Sequence, residues 1–424
     1  ELELKYAGAS RQKKLKQIRQ RMKQQGVDFH LISTLDDIAW IFNLRGKDIA
    51  FNPVFMAYAL IGMEIAYIFI DPAKISEALK TKLRNEGILL KEYKGIDRML
   101  RRLPKGQKIL VDYNRLNIAL YNELPKKQIV EGRTISTPLK AIKNETEIKN
   151  ISIAMRKDGV ALTRLFRWLE KTVKKQAVSE ADVAKQLDYY RSEQGDYFGE
   201  SFPAIVGYGA NGAIVHYRPE PGKCAMIEAH GILLLDSGGQ YWQGTTDVTR
   251  TVALGKVTAQ QKKHFTLVLK GNIALASLRF PKGTRGNQME IMARQYLWQA
   301  GLNYGHGTGH GVGFFLNVHE GPQALGSGAT AKAATPFEVG MLTSNEPGFY
   351  LPGEYGIRIE NLELTVFDQQ TDFGDFYRFE TMTLFPIDRR LIVPDLLDAP
   401  SRAWLDAYHS EVLDKIGPRV SDTA

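Results

Sequence analysis

Short apolar runs and helix-period segments take turns along the first 140 residues. Apolar stretches at 29–33, 55–61, 65–71, 88–93, 108–112 and 128–131 predict strands. Segments 76–85 and 96–103 between them predict helices, the first closed by Glu86-Gly87. Such alternation is the pattern of an α/β domain. Ahead of the first strand, Leu15, Ile18 and Met22 form one helical stripe within 11–23, a stretch with seven Lys or Arg. We read it as an amphipathic helix with a solvated basic face.

The pattern changes near residue 143. Asn144 ahead of Thr146 and Glu147 is a capped start for a long helix, and Ile148, Ile151, Met155, Val160 and Leu162 give it a buried face. Another helix is expected at 180–194. From Phe202 onward, glycine-separated apolar runs at 232–235, 248–254, 341–343 and 357–366 predict strands. Two domains follow, 1–143 and 144–424, without tandem repeats or low-complexity tracts.

Composition then narrows the class. With 424 residues, 44% hydrophobic and 24% charged, the chain is neither a disulfide-stapled miniprotein nor a disordered one. Cys224 is the sole cysteine, which excludes an intramolecular disulfide and fits a reducing compartment such as the cytoplasm. A formal charge of +9 admits nucleic acid as a partner, yet the basic stretch has no aromatic platforms beside it, so none is expected. The most apolar run, 54–70, is too short for a bilayer span and carries Gly62 and Glu64 near its middle. Two consecutive strands are expected there, and no membrane. Nothing at the start reads as a signal peptide, and the initial Glu1 suggests numbering from an internal cut.

The chemistry lies in acids and histidines beside strands and glycines. Leu233-Leu234-Leu235-Asp236-Ser237-Gly238-Gly239 sets a carboxylate at the end of an apolar run, and Asp247 follows in Gly244-Thr245-Thr246-Asp247-Val248-Thr249-Arg250. Neighbouring strands could bring the two acids together, which is repulsive without a cation or a shared proton. Taken singly, each also fits a turn at a strand end. His306, His310 and His319 fall close together in a glycine-rich segment where core packing explains them poorly. Glu346 precedes Pro347-Gly348, and Arg358 and Glu360 share a face if 357–361 is a strand, where a plain ion pair would also account for them. Asp236, Asp247, His310, Glu346 and Glu360 together make four carboxylates and one imidazole. That donor set suits two divalent ions such as Mn²⁺, Co²⁺ or Fe²⁺, and water between them would be acidified towards hydroxide.

This constellation resembles the pita-bread metallopeptidases, the group of methionine aminopeptidase, prolidase, creatinase and aminopeptidase P. The motif wording is similar to the cytosolic, three-domain type of Xaa-Pro aminopeptidase. It is carried by Asn211-Gly212-Ala213-Ile214-Val215-His216-Tyr217, Asp236-Ser237-Gly238, His306-Gly307-Thr308-Gly309-His310, Val318-His319-Glu320-Gly321-Pro322, Glu346-Pro347-Gly348 and Ile357-Arg358-Ile359-Glu360-Asn361. Asp37-Ile38-Ala39-Trp40-Ile41-Phe42-Asn43 extends it into the first domain.

The resemblance implies an α+β protein: a C-terminal pita-bread catalytic domain preceded by an α/β creatinase N-terminal-like domain. By the same resemblance the latter corresponds to the family's middle domain, and the family's first domain is expected to lie outside this sequence. It implies that His310 and Glu346 serve one metal, Asp236 the other, and that Asp247 and Glu360 bridge them. Mn²⁺ is the expected ion, with Co²⁺, Zn²⁺ or Fe²⁺ as alternatives. His216, His306, His319 and Arg358 are assigned to substrate binding, and His216, His319 and Glu346 to catalysis. The implied substrates are peptides with proline second, whose scissile nitrogen lacks an N–H and so needs a dedicated pocket. From about residue 370 the tail, with Phe379, Leu384, Phe385, Leu391 and Trp404, resembles the family's C-terminal extension, which implies a homodimer. The alternatives are a prolidase acting on Xaa-Pro dipeptides, a creatinase, and a non-catalytic peptide-binding module. The complete ligand set disfavours the last two.

Overall fold

The short apolar runs of the first 140 residues form one six-stranded sheet, most of its strands buried at consecutive positions. The structure, a computed structural model, describes residues 1–328 and 330–420. They divide into two compact units, Glu1–Lys140 and Ala141–Ala424.

In the first unit the strands are Phe29–Ile32, Tyr58–Gly62, Ala66–Phe69, Ile88–Lys91, Ile109–Val111 and Ile129–Glu131. Phe29–Ile32 lies inside the sheet, antiparallel to Tyr58–Gly62 and parallel to Ile109–Val111. The apolar run at 54–70 thus forms an antiparallel pair, Tyr58–Gly62 with Ala66–Phe69. Leu31, Leu60, Phe69, Ile109 and the helix residues Ile96 and Leu100 close the core of one face.

The basic helix, Arg11–Gln24, buries its apolar stripe as expected, but its basic face is not wholly solvated. Arg11 and Lys14 are buried. A helix at Leu35–Ile41, absent from the sequence reading, ends against it, and its last carbonyls lack intrahelical donors. Lys14 Nζ donates to Trp40 O (2.9 Å) and Asn43 Oδ1 (2.7 Å), and Arg11 donates to Phe42 O while pairing with Glu86 at 3.0 Å. Cationic side chains at a helix C-terminus are favourable for this reason. Lys13, Lys16, Arg21 and Lys23 stay exposed.

The second unit opens with the helix Glu145–Thr172, whose Asn144 and Glu147 form a reciprocal capping box. The helix Glu180–Ser192 follows, capped in the same way by Ser179 and Asp182. Two sheets then supply the site. In one, Ile232–Ser237 runs antiparallel between Val248–Ala253 and Ile205–Tyr208. In the other, Leu342–Asn345 lies between Gly309–Gly311 and Asn361–Thr371, which continues into a long hairpin with Gly374–Thr381. The last helix among the described residues is Ala399–Val420.

The expected strand at 357–366 is two strands. Tyr355–Arg358 pairs with Gly348–Leu351, whereas Asn361–Thr371 joins the larger sheet. Ile359 and Glu360 lie between them because their amides bond elsewhere, to Pro347 O (3.3 Å) and Thr249 O (3.1 Å). Arg358 and Glu360 therefore do not sit on one face of a continuous strand.

Candidate metal centre

Asp236 and Asp247 meet because their strands pair. Asp236 is opposite Thr249 and Ser237 opposite Val248, so Asp247 emerges immediately before the second strand, near Asp236. The turn is tight at Gly238, where a Cβ would lie 2.0 Å from Thr246 O. His310 arrives on Gly309–Gly311, and here too a side chain is excluded: a Cβ on Gly309 would lie 1.8 Å from Ser344 O. Glu346 follows Leu342–Asn345, and Glu360 occupies the interruption between the two strands just described.

Ligand atoms of Asp247, His310 and Glu360 lie within 4.8 Å of one another. His310 Nε2 is 3.4 Å from Asp247 Oδ2 and 3.5 Å from Glu346 Oε1. Its Nδ1 sits 3.0 Å from Gly311 O and must donate there, which turns the Nε2 lone pair towards the carboxylates. Ser344 Oγ accepts from His310 N–H at 2.9 Å and donates to Glu346 at 3.3 Å. Thr249 donates to Glu360 Oε2 at 2.8 Å.

The electrostatics call for cations. Burial, then the charges of Asp236 and Glu346, push Asp247 well above the ordinary carboxylate range. Burial, then Asp247 and Glu346, do the same to Glu360. Burial also raises Glu346, against the pull of His310 and Arg358. Asp236 Oδ1 is buried without a hydrogen-bond partner among the described residues. An orphaned carboxylate oxygen, crowded acids and an imidazole lone pair aimed at them all fit divalent ions.

These groups line a cavity of about 320 Å³. Phe202, Pro203, Ile205, Val215 and Val318 give it apolar walls, and His216, His306 and His319 also line it. His216 and His319 are exposed, and the rings of His319 and His310 meet edge to face at 4.1 Å. The crowded walls and the neighbouring His310 hold His319 down to about 4. His306 is likewise lowered to about 4, by burial.

Arg358 lines the same cavity, yet its donors are engaged within the protein. Its guanidinium reaches Asp236 Oδ2 (2.7 Å), Tyr350 OH (2.7 Å) and Thr249 Oγ1 (3.3 Å). Tyr350 OH lies 2.8 Å from His306 Nε2, and His306 Nδ1 lies 2.8 Å from Gly307 O. A chain of polar contacts thus runs from Asp236 through Arg358 and Tyr350 to His306. Tyr350 and Thr249 escape a sequence reading because each acts on a partner in a different strand. In the sequence each is simply a polar residue inside a strand.

The fold and this acid-rich cavity define a class, and comparison with known proteins agrees. Residues 149–365 match metallopeptidase family M24, residues 1–147 the creatinase/prolidase N-terminal domain, and residues 375–424 the C-terminal region of peptidase M24. The chain belongs to metallopeptidase family M24, and its fold is the expected creatinase N-terminal domain followed by a pita-bread domain. It is 42% identical over 428 residues to a Laccaria bicolor protein named Probable Xaa-Pro aminopeptidase P, covering 98% of this chain and 66% of that one. It is 40% identical over 428 residues to Xaa-Pro aminopeptidase 1 of Dictyostelium discoideum, covering 100% and 68%. The chain therefore spans about two thirds of the length of these relatives. A crystal structure of the Caenorhabditis elegans X-prolyl aminopeptidase, described as a cytosolic enzyme with a di-nuclear active site, superposes with a TM-score of 0.94. That enzyme is 32% identical, with 99% of this chain and 69% of that chain covered. A Xaa-Pro dipeptidase structure from Bacillus anthracis, 24% identical with a TM-score of 0.71 over 89% of this chain and 99% of that one, shares the fold. Among the described residues, no helix is long and apolar enough to cross a membrane.

Proposed function

We propose that the chain is a metal-dependent Xaa-Pro aminopeptidase that removes the first residue from peptides with proline in second position. The observation that carries this is the convergence of Asp247, His310 and Glu360 in a histidine-lined cavity, in a chain similar along its length to proteins of that name. Asp236, Asp247, His310, Glu346 and Glu360 would hold two divalent ions, with Mn²⁺ proposed as the working metal. When bound, such ions supply Lewis acidity and a water of lowered pKa.

The protein's own groups have separable tasks. Glu346, a carboxylate lining the cavity, takes a proton from the attacking water and returns it to the departing proline nitrogen. His319 lines the cavity as a neutral imidazole and donates to the oxygen that gains charge at the scissile carbonyl. His216 and His306 orient the peptide, the latter held by Tyr350, to which Arg358 donates in turn. Phe202, Pro203, Ile205 and Val215 offer apolar wall to a proline ring, which has no N–H to pair with a strand edge. Arg358 holds Asp236 in place through its 2.7 Å contact, and thereby acts on substrate binding at one remove. A homodimer in the cytoplasm is part of the proposal. It is supported by the match of residues 375–424 to the M24 C-terminal region and by the cytosolic description of the nematode enzyme.

The test is release of the first residue from an Xaa-Pro-Pro peptide, beside Xaa-Ala-Pro and an Xaa-Pro dipeptide, before and after chelation and Mn²⁺ addition. Cleavage of Xaa-Pro-Pro alone, lost on chelation and restored by Mn²⁺, is the expected result. Preference for the dipeptide would establish a prolidase instead. Bound metal without turnover on any of the three would overturn the peptidase assignment.

A further inference from the structure

Residues 375–424 match the C-terminal region of peptidase M24, and the structure shows what 375–420 touch. Arg250 follows Thr249 on the strand Val248–Ala253 and is 2% exposed. Its guanidinium joins two groups of acceptors. On one side Nη1 donates to Thr249 O (2.9 Å) and Glu360 O (2.6 Å), and Nη2 to Asn361 Oδ1 (2.8 Å). On the other, Nε donates to Pro386 O (3.1 Å), and Nη2 faces Phe385 O (2.6 Å) and Tyr408 OH (2.8 Å).

The first group is the support of Glu360. Thr249 holds that carboxylate through its hydroxyl at 2.8 Å and the Glu360 amide through its carbonyl at 3.1 Å. Glu360 lies outside regular pairing, in the gap between two strands, so these contacts substitute for a sheet ladder. The second group belongs to the C-terminal region. Tyr408 is buried on the last helix, stacks on Trp404 at 5.2 Å, and donates to Phe385 O (2.8 Å) or Thr383 O (3.0 Å). That leaves its oxygen lone pair for Arg250. Asp388 adds a second tie to the same strand by accepting from Ala253 N–H at 2.9 Å.

We propose that the C-terminal region is a working part of the metal centre: Tyr408 and the carbonyls of Phe385 and Pro386 position Arg250, which fixes the backbone that presents Glu360. Arg250 and Tyr408 are positioning residues. A five-donor fork is required because the acceptors come from three directions, which a lysine cannot serve. Outer contacts of this kind typically change metal affinity by roughly 10–100-fold when removed.

The proposal rests on Glu360 being a metal ligand, and its test reads metal binding directly. Co²⁺ affinity of the full chain is measured by competition with a chromogenic chelator, for wild type, Arg250→Lys and Tyr408→Phe, well below each melting temperature. Arg250→Lys should weaken binding of at least one ion by roughly tenfold or more and alter the visible Co²⁺ spectrum, with Tyr408→Phe in the same direction and smaller. Excess Co²⁺ should restore most of kcat with little change in KM. Variants that melt earlier yet bind Co²⁺ as the wild type does would show a merely structural role and overturn the inference. If Arg250→Lys does not fold, Tyr408→Phe decides alone. A wild type that binds no Co²⁺ would overturn the metal assignment itself, a distinct outcome.

Discussion

Both units bury charged side chains, but they balance them differently. In Glu1–Lys140 each such group has its partner: Lys140 sits 3.0 Å from Asp36, Arg11 3.0 Å from Glu86, and Asp37 accepts from Thr34 and Thr137. Away from the cavity the second unit also holds matched pairs, Lys143 2.7 Å from Glu320 and Arg191 2.7 Å from Asp158. At the cavity the balance fails. Among the described residues, the cations within ion-pair distance of Asp236, Asp247, Glu346 and Glu360 are Arg358, on Asp236, and His310, beside Asp247 and Glu346. Matched burial builds a fold, and unmatched burial marks the place where something else supplies the missing charge.

The sharpest break between the two regions should be catalytic. Glu346→Gln should lower kcat roughly 10²–10⁴-fold on an Xaa-Pro-Pro peptide while leaving the far-ultraviolet circular dichroism unchanged. The first unit should show the reverse. Lys140→Met strands the buried Asp37 and the half-buried Asp36 and should cost about 3–5 kcal/mol in urea unfolding, with kcat per folded molecule unaffected.

Opposite pH responses sharpen the contrast further. His30 is buried, with Nδ1 3.3 Å from Leu110 O and Nε2 accepting from Ile135 N–H at 3.2 Å, and burial lowers it to about 4. Its contribution is complete above the unfolded value near 6.5 and is lost as pH falls towards 4, worth about 3 kcal/mol. Glu363, buried in the second unit, is raised to about 7, so its contribution is complete below about 4.5 and is lost as pH rises through 7. Unfolding midpoints between pH 4 and 8 should move in these two directions, and Glu363→Gln should flatten the alkaline side. The smallest effect should come from Asp247→Asn without metal. Removing one crowded charge should raise the melting temperature by roughly 2–4 °C, where truncating a matched charge would lower it.

The strand ends that carry Asp236 and Asp247 are legible in the sequence because each joins an apolar run to a glycine turn. Glu346 is legible because it precedes Pro347-Gly348 after an apolar run, and His310 because it falls among clustered histidines in a glycine-rich segment. Contacts between distant strands are not. Arg358 looks like a partner for Glu360 two residues away, yet it pairs with Asp236, because the chain leaves the ladder at Ile359. The helix Leu35–Ile41 escapes because Asp37 to Ile41 are all buried, which erases the period that betrays a surface helix. Arg11 and Lys14 read as solvated because charge normally is, and only the helix end beneath them turns them inward.

The most direct measurement is the number of Mn²⁺ ions bound per chain at neutral pH, by equilibrium dialysis of the chelated protein. Two ions per wild-type chain, and fewer for Asp247→Asn, are predicted if the unmatched carboxylates await cations. A wild-type chain that binds none, with its fold intact, would contradict that reading.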